Sequence, residues 1–248
     1  MRLFPTVSIS FVVASLCWSG SAWAQMGTYT KGSCVLADGR QLQGGFQLRL
    51  ATAQSPAILV YHDSDGKQPD QEFEPAQIKR CTVGRRSYIV GGNFVAPDNK
   101  GGIPVDKDFV EVLDTLGRVQ TFRYTYEGYV SSNPGDYILP VALAATSLAV
   151  GGPMVFLGGG GKQYQPTYIL LLRAGNGQPL VPYTPGPQPG LFTSEQEKLI
   201  MPSVGATTAF FTDDPELQRR IETGRITQVR LPEVVQAYNT GIKLKPKN

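Results

Sequence analysis

Histidine is nearly absent from this chain. Its 248 residues include one histidine, His62, and three cysteines. Metal sites built from two or three histidines are therefore excluded, and any Ser-His-Asp or Cys-His catalytic device would have to use His62. That residue lies beside a turn at the end of a predicted strand, which is typical of a partly exposed structural histidine. The sequence predicts no catalytic residue, no metal ligand and no cofactor.

An excess of one charge is also lacking. The chain has 23 Lys and Arg residues against 20 Asp and Glu residues, a formal net charge of +3. On this balance we expect no nucleic-acid partner. Gly and Pro supply 28 and 19 residues, about a fifth of the chain, which is less than the roughly 25–30% typical of low-complexity disorder. The composition predicts a turn-rich globular protein.

The first 24 residues are typical of a secretory signal peptide. Arg2 provides a positive charge, Val7–Cys17 is an apolar run, and residues 22–24 (Ala-Trp-Ala) match a cleavage site. We expect a mature chain that begins at Gln25. Such a chain would be exported to the periplasm, the outer envelope or the medium.

Two cysteines, Cys34 and Cys81, remain after the predicted signal peptide. An even number of cysteines in an oxidising compartment permits one disulfide. The bond would close a loop of 48 residues, counting both ends, and would stabilise the fold by about 4 kcal/mol if it were unstrained. The alternative is two unpaired cysteines on different strands, and the sequence leaves both open.

Residues 25–183 predict a β-rich domain, because apolar residues alternate there and turn residues interrupt them at short intervals. Asp38-Gly39 predicts a hairpin, and a second hairpin is predicted around Asn176-Gly177. Residues 75–78 are typical of one helical turn. In the strand at 119–126, Phe122, Tyr124 and Tyr126 share one face.

A Gly-rich apolar loop is predicted at about residues 134–166. Within it, residues 138–157 are long enough to cross a hydrocarbon core of about 30 Å, which makes them a candidate single membrane span. Pro140 and the sequence Gly151-Gly152-Pro153 favour a loop or a short buried helix instead. An exposed apolar loop would indicate contact with a membrane or with a protein.

The C-terminal part changes to a helical pattern. Residues 184–193 are dense in Pro and Gly and predict a linker, and residues 194–242 predict three helices. Ser194 would cap the first helix, and Thr212 or Asp213 the second. Pro232 would open the third helix, which would end before Gly241.

Tyrosine is concentrated in the middle of the chain. Tyr124, Tyr126 and Tyr129 are the candidates for a ligand-binding face, since an exposed tyrosine offers an apolar ring and a hydrogen-bonding hydroxyl. On this hypothesis, replacing one of them abolishes association without loss of folding. The alternative is the ordinary packing of aromatic residues in strands.

Two pairs of carboxylates are candidates for acid–base chemistry on a glycoside. Glu111 and Asp114 lie on and beside one strand, and Asp213 and Asp214 lie where a helix N-terminus favours negative charge. A hydrolase of this kind needs two carboxyl groups that face each other across a pocket at roughly 5–9.5 Å.

Together these features predict an α+β protein, with an antiparallel β-sheet or partly open barrel followed by a small C-terminal helical segment. Several stretches, taken in order, resemble a family of uncharacterised bacterial secreted or periplasmic proteins. The stretches are Cys34–Gly44, Phe73–Lys79, Tyr88–Ile89, Asp108–Leu113 and Asp214–Asn239. Because no function is assigned to that family, the resemblance implies a class and a compartment and supplies no site residue.

The functional hypothesis is therefore an exported, non-enzymatic binding or interaction module of the envelope or the medium. Its partner would be a protein or another envelope component. Two alternatives stay open at this point, namely a carboxylate-based hydrolase and a single-span membrane protein that crosses through residues 138–157.

Overall fold

The structure, a computed structural model, describes residues 29–52, 54–63, 69–97, 102–130, 163–187 and 194–242. The predicted signal peptide, residues 134–162 of the predicted Gly-rich loop with the candidate span at 138–157, and residues 188–193 of the predicted linker lie outside these ranges. Residues 163–166, predicted as the end of that loop, are the start of a strand.

The described residues form twelve β-strands, three α-helices and short 3-10 turns. The strands are β1 (Thr30–Leu36), β2 (Gln41–Arg49), β3 (Ile58–His62), β4 (Gln71–Phe73), β5 (Ile78–Val83), β6 (Arg86–Gly91), β7 (Phe94–Ala96), β8 (Ile103–Val105), β9 (Asp108–Asp114), β10 (Gln120–Val130), β11 (Gln163–Arg173) and β12 (Val181–Pro182). The helices are α1 (Ser194–Thr208), α2 (Pro215–Glu222) and α3 (Leu231–Thr240).

Ten strands make one sheet, in the order β12-β11-β10-β9-β6-β5-β1-β2-β3-β4, and β7 pairs with β8. The strand pairs of both sheets are antiparallel. The ten-stranded sheet is open, with β12 and β4 at its edges. The predicted α+β class, a mainly antiparallel sheet followed by short C-terminal helices, is confirmed.

The predicted hairpins form where glycine permits a left-handed backbone. Gly39, with a φ of 90°, lies in the turn between β1 and β2. Gly177, with a φ of 82°, lies in the turn between β11 and β12. The predicted helical turn at 75–78 is a 3-10 turn over Pro75–Gln77.

Two apolar clusters lie on opposite faces of β11. Ile169 and Leu171 belong to one cluster, called here the sheet core, whereas Leu170 and Leu172 belong to the other, the helix core. This division follows from the alternation of side chains along a strand. The sheet core also includes Phe46, Leu59, Phe109, Phe122, Tyr124 and Tyr126, and the helix core includes Phe211, Leu217, Ile221, Ile226, Leu231 and Val235.

The helices begin and end close to the predicted positions. The side chain of Asp214, rather than Thr212 or Asp213, caps α2 by accepting a hydrogen bond from the Leu217 amide. α3 ends at Gly241, whose φ of 70° gives the left-handed C-cap that glycine favours.

The described part of the predicted linker, residues 184–187, lies against the helices. The amide of Gly186 donates to the carbonyl of Ile221 at 2.8 Å. Beside it, the Tyr183 hydroxyl donates to the carbonyl of Ile226 at 2.6 Å. These bonds fix the start of the C-terminal segment to α2 and to the loop that follows it.

Candidate functional site

Tyr124 and Tyr126 were predicted to form a ligand-binding face, but both lie in the sheet core. Each is 2% exposed, and their rings stack with their centroids 5.4 Å apart. The Tyr126 hydroxyl donates to the carbonyl of Pro97 at 2.5 Å. For both residues this burial favours the alternative, the ordinary packing of aromatic residues in strands. Tyr129 lies opposite Tyr164 on β11, and its side chain is outside the described part of the structure.

The Tyr124 hydroxyl is engaged by a buried carboxylate. It donates to Asp108 at 2.9 Å, and the same carboxylate accepts from the amides of Phe109 at 2.7 Å and Ala57 at 3.3 Å. Asp108 is 2% exposed. Burial raises the pKa of Asp108 above its ordinary value, and the three hydrogen bonds oppose that rise. This group joins the start of β3 to β9 and β10.

Both carboxylates of the first candidate acid–base pair, Glu111 and Asp114, accept hydrogen bonds from neighbouring residues. Glu111 accepts from the Arg123 guanidinium at 2.7 and 3.0 Å, and Arg86 lies 3.8 Å from its other oxygen. Asp114 accepts from the Leu116 amide at 2.8 Å in the turn after β9. These contacts favour structural roles for both carboxylates.

Both carboxylates of the second candidate pair, Asp213 and Asp214, also accept hydrogen bonds within the fold. Asp213 accepts hydrogen bonds from the Tyr238 hydroxyl and the Arg118 guanidinium, which lower the pKa of its carboxyl. Asp214 accepts from the Leu217 amide at 2.9 Å as the cap of α2. The hydrolase hypothesis therefore gains no support from these residues.

An uncharged polar row crosses four neighbouring strands of the sheet. Ser33 on β1 lies opposite Gln43 on β2 and Thr82 on β5, and Thr82 lies opposite Ser87 on β6. Residues opposite one another in a sheet project from the same face. Ser33, Gln43 and Ser87 are exposed, and Thr82 is half-buried.

A second row lies beside the first on the same face. Val35 on β1 is opposite Gln41 on β2 and Arg80 on β5, and Arg80 is opposite Ile89 on β6. Gln41 and Arg80 are exposed. The six polar members of the two rows make up the polar face. They are Ser33, Gln41, Gln43, Arg80, Thr82 and Ser87.

The polar face borders a depression of about 430 Å³. All six of its residues line this depression. Hydroxyl and amide side chains both donate and accept hydrogen bonds, so they suit an uncharged partner that does the same. No motif in the sequence indicates this surface, because its residues come from four strands whose order and register are set by the folded sheet. The alternation of polar residues along β1 and β2 was the one local signal.

His62 lies at the opposite end of β3 from the buried carboxylate. Its Nδ1 is 2.8 Å from Asp70, and its ring stacks on Tyr29 with centroids 4.7 Å apart. The Tyr29 hydroxyl donates to the same carboxylate. The side chain of His62 is 43% exposed, which confirms the expectation of a partly exposed histidine at a strand end.

Cys34 and Cys81 are direct partners on the neighbouring strands β1 and β5. They are 1% and 4% exposed, and the structure holds both as thiols. The sequence does not give the distance between the two cysteines. The register of β1 and β5 places them opposite each other. Both belong to the sheet core.

Within the described ranges, no group of three or more His, Cys, Asp or Glu residues is arranged to hold a metal ion. None of the described helices is long and apolar enough to cross a membrane. In the comparisons with known proteins, no family model, no curated protein and no solved structure matches this chain.

Proposed function

We propose that this chain is an exported, non-enzymatic binding protein and that the polar face is its ligand-contact surface. The observation that carries the proposal is the cross-strand row of Gln43, Ser33, Thr82 and Ser87 beside the depression. Neighbouring strands lie about 4.8 Å apart, so a row of four strands spans about 14 Å. An extended ligand laid across the strands would contact all four side chains.

The chemistry of the polar face favours a neutral saccharide of the envelope as the ligand. Five of its six side chains are hydroxyls or amides, and Arg80 carries the single charge. The polar face has one arginine and no cluster of them, and Tyr88 is the one aromatic residue among those that line the depression, whereas several aromatic residues and arginines dominate the energetics of protein interfaces. One cation is also too few for a phosphate backbone. Saccharide hydroxyls donate and accept hydrogen bonds, as these side chains do.

Export is part of the proposal. It is supported by the charge, the apolar run and the Ala-Trp-Ala sequence within residues 1–24, and the family resemblance supports the same compartment. An exported protein meets envelope saccharides directly. Membership of that secreted family is likewise proposed here.

We also propose that the open sheet curls into a partly open barrel. Two contacts between distant strands support this curvature. Ala51, after β2, forms an isolated parallel bridge with Tyr126 on β10, and its carbonyl accepts from the Glu127 amide at 2.7 Å. The Ala57 amide, before β3, reaches the Asp108 carboxylate on β9.

The test begins with the full chain expressed in a bacterium with its N-terminal segment. Export requires a species in the periplasm or medium whose intact mass begins at Gln25. That material is then titrated by calorimetry with neutral chitin and cellulose oligomers, with an acidic polygalacturonate oligomer as the charged comparator. We expect binding to a neutral oligomer.

The contact surface is tested with Gln43→Ala and Ser87→Ala, each of which removes one hydrogen-bonding side chain. The loss of one such bond is worth about 0.5–1.5 kcal/mol, so we expect Kd to rise about two- to twelve-fold. Gln178→Ala is the matched control, since Gln178 is exposed in the turn between β11 and β12. The proposal is contradicted if Gln43→Ala and Ser87→Ala bind the oligomer as tightly as Gln178→Ala does. It is also contradicted if no neutral oligomer binds the wild-type protein.

A further inference from the structure

We infer that Cys34 and Cys81 form a disulfide bond that joins β1 to β5 in the exported protein. The sequence left a bridge and two separate thiols equally open. The structure adds the register, the hydrogen-bond pattern and the shared burial of the two side chains.

The register places the two cysteines directly opposite each other. Cys34 pairs with Cys81, and Ser33 pairs with Thr82 one position earlier on β1. Two opposite residues of an antiparallel pair project from the same face of the sheet. The two sulfur atoms therefore lie on one side of the sheet and not on opposite sides.

The hydrogen-bond pattern between β1 and β5 identifies the type of site. The Gly84 amide donates to the carbonyl of Lys31 at 2.9 Å, so this opposed pair is a hydrogen-bonded one. Hydrogen-bonded and non-hydrogen-bonded pairs alternate along an antiparallel ladder. Three positions after Lys31, the pair of Cys34 and Cys81 is therefore non-hydrogen-bonded.

The other neighbour of β1 gives the same answer independently. The Leu36 amide donates to the carbonyl of Arg40 at 2.9 Å across the β1–β2 hairpin. Backbone groups two residues apart point to the same side of a strand. The backbone N–H and C=O of Cys34 consequently point to β2 and away from β5. This is the arrangement that a non-hydrogen-bonded pair with Cys81 requires.

This type of site has the dimensions that a disulfide needs. Opposed Cα atoms at a non-hydrogen-bonded position are about 4.5 Å apart, and disulfides join Cα atoms separated by about 4.4–6.8 Å. The two thiols also interact with each other, and this interaction lowers the pKa of Cys34 and raises the pKa of Cys81.

The oxidation is a thiol–disulfide exchange with a disulfide oxidant such as glutathione disulfide. The thiolate of one cysteine attacks one sulfur of the oxidant and releases one reduced thiol, leaving a mixed disulfide. The thiol of the other cysteine loses its proton and attacks the protein sulfur of that mixed disulfide, which releases the second reduced thiol. Two protein thiols are oxidised, one oxidant disulfide is reduced, and one S–S bond forms.

Burial decides when the bond forms and how it resists reduction. Because the two cysteines are 1% and 4% exposed, a bulky oxidant reaches them before the sheet core has closed. For the same reason a reductant reaches the finished bond slowly. The bond holds β1 beside β5, and Ser33 and Thr82, the neighbours of the two cysteines, are members of the polar face.

The experiment is intact-mass analysis of the full chain expressed with its N-terminal segment in a bacterium, after alkylation in denaturant without reductant. We expect the exported species to take up no alkylating groups and to be about 2 Da lighter than its reduced form. After reduction it should take up two. The purified chain, reduced and refolded with glutathione disulfide, should reach the same state.

Variants separate the bond from its alternatives. Cys34→Ser should leave one alkylatable thiol, and the double variant Cys34→Ala with Cys81→Ala shows whether the chain folds without the bond. Two alkylatable thiols in the refolded wild type, or a bond between two copies of the chain, would overturn the inference. The inference rests on the export that the proposed function includes, but the refolding arm does not need export. Saccharide binding enters neither readout, so the bond and the binding proposal fail separately.

Discussion

Among single residues, Asp108 couples ionisation to folding. Its carboxylate is buried beneath β3, β9 and β10 and is held by two amides and the Tyr124 hydroxyl. Burial disfavours the charged form and raises the pKa of this carboxyl. Asp38 is the opposite case. It is exposed, and hydrogen bonds from the amide and guanidinium of Arg40 lower its pKa.

The raised pKa of Asp108 predicts a pH dependence with a definite sign. Between about 3.9, the ordinary pKa of an unfolded aspartate, and the raised value, the native state keeps a proton that the unfolded chain has lost. The contribution of Asp108 to stability therefore falls as pH rises through this window. Asp108→Asn stays neutral at both pH values. Its stability relative to wild type, measured as the difference in free energy of unfolding, should therefore be higher near pH 7 than near pH 4.

Urea unfolding of both proteins at the two pH values measures this difference. Asp38→Asn is the exposed control: because the wild-type pKa is lowered, the protonation that removes the bonds to Arg40 takes place below pH 4, and the relative stability of this variant should change little between the two pH values. A relative stability of Asp108→Asn that does not change between the two pH values would contradict the assignment of Asp108 as a buried acid.

Among the elements, α3 and the β9–β10 turn are joined by one side chain. The Asn239 carboxamide oxygen accepts from the amides of Arg118 and Val119, both at 3.1 Å. Its nitrogen donates to the carbonyls of Leu116 at 2.9 Å and Val119 at 2.7 Å. One asparagine thus satisfies four backbone groups of a turn more than a hundred residues away.

The turn is shaped to receive this side chain. Gly117 has a φ of 98°, and a Cβ atom there would lie 2.4 Å from Cγ of Asn239. Both the backbone conformation and the close approach require glycine at this position.

Asn239→Ala should consequently lower the free energy of unfolding by about 1–3 kcal/mol, since four hydrogen bonds are lost at a half-buried position. Thermal or urea unfolding gives the value. Gln236→Ala, an exposed position of the same helix, should change stability by less than about 0.5 kcal/mol. Equal effects of the two substitutions would show that the turn does not depend on Asn239.

At the scale of the whole molecule, the sheet core and the helix core share β11. Leu171 projects into the first and Leu172 into the second, and both are 0% exposed. Neither cluster can lose its packing without exposing one face of the same strand. We therefore expect the described β and helical parts to unfold together.

Leu171→Ala and Leu172→Ala should each lower the free energy of unfolding by about 2–5 kcal/mol. Both variants should show one transition that coincides by far-UV circular dichroism and tyrosine fluorescence. Leu116→Ala is the matched control, because Leu116 is 79% exposed and should change stability by less than about 0.5 kcal/mol. Two separate transitions in Leu172→Ala, with the sheet surviving the loss of the helices, would contradict the shared-strand argument.

The sequence by itself determined the local elements of this protein. Asp38-Gly39 specified a hairpin because glycine adopts positive φ without strain. The helices were located from Pro positions, Gly241 and polar residues near the helix starts, all of which act within a few residues of the helix ends, although the residue that caps α2 is Asp214 and not Thr212 or Asp213. Alternation assigned Phe122, Tyr124 and Tyr126 to one face of a strand. Each of these signals is local, so the amino-acid order is enough to read it.

Only the tertiary structure decided which surfaces are covered and which residues meet. Alternation defines two faces of β10 but does not say which is buried, so it leaves open whether Tyr124 and Tyr126 form a binding face or pack in the core. The polar face and the pair of Cys34 and Cys81 depend on the order β6-β5-β1-β2 and on its register. Such pairings join residues far apart in sequence, and the packing of the complete sheet selects one among many registers with similar local patterns.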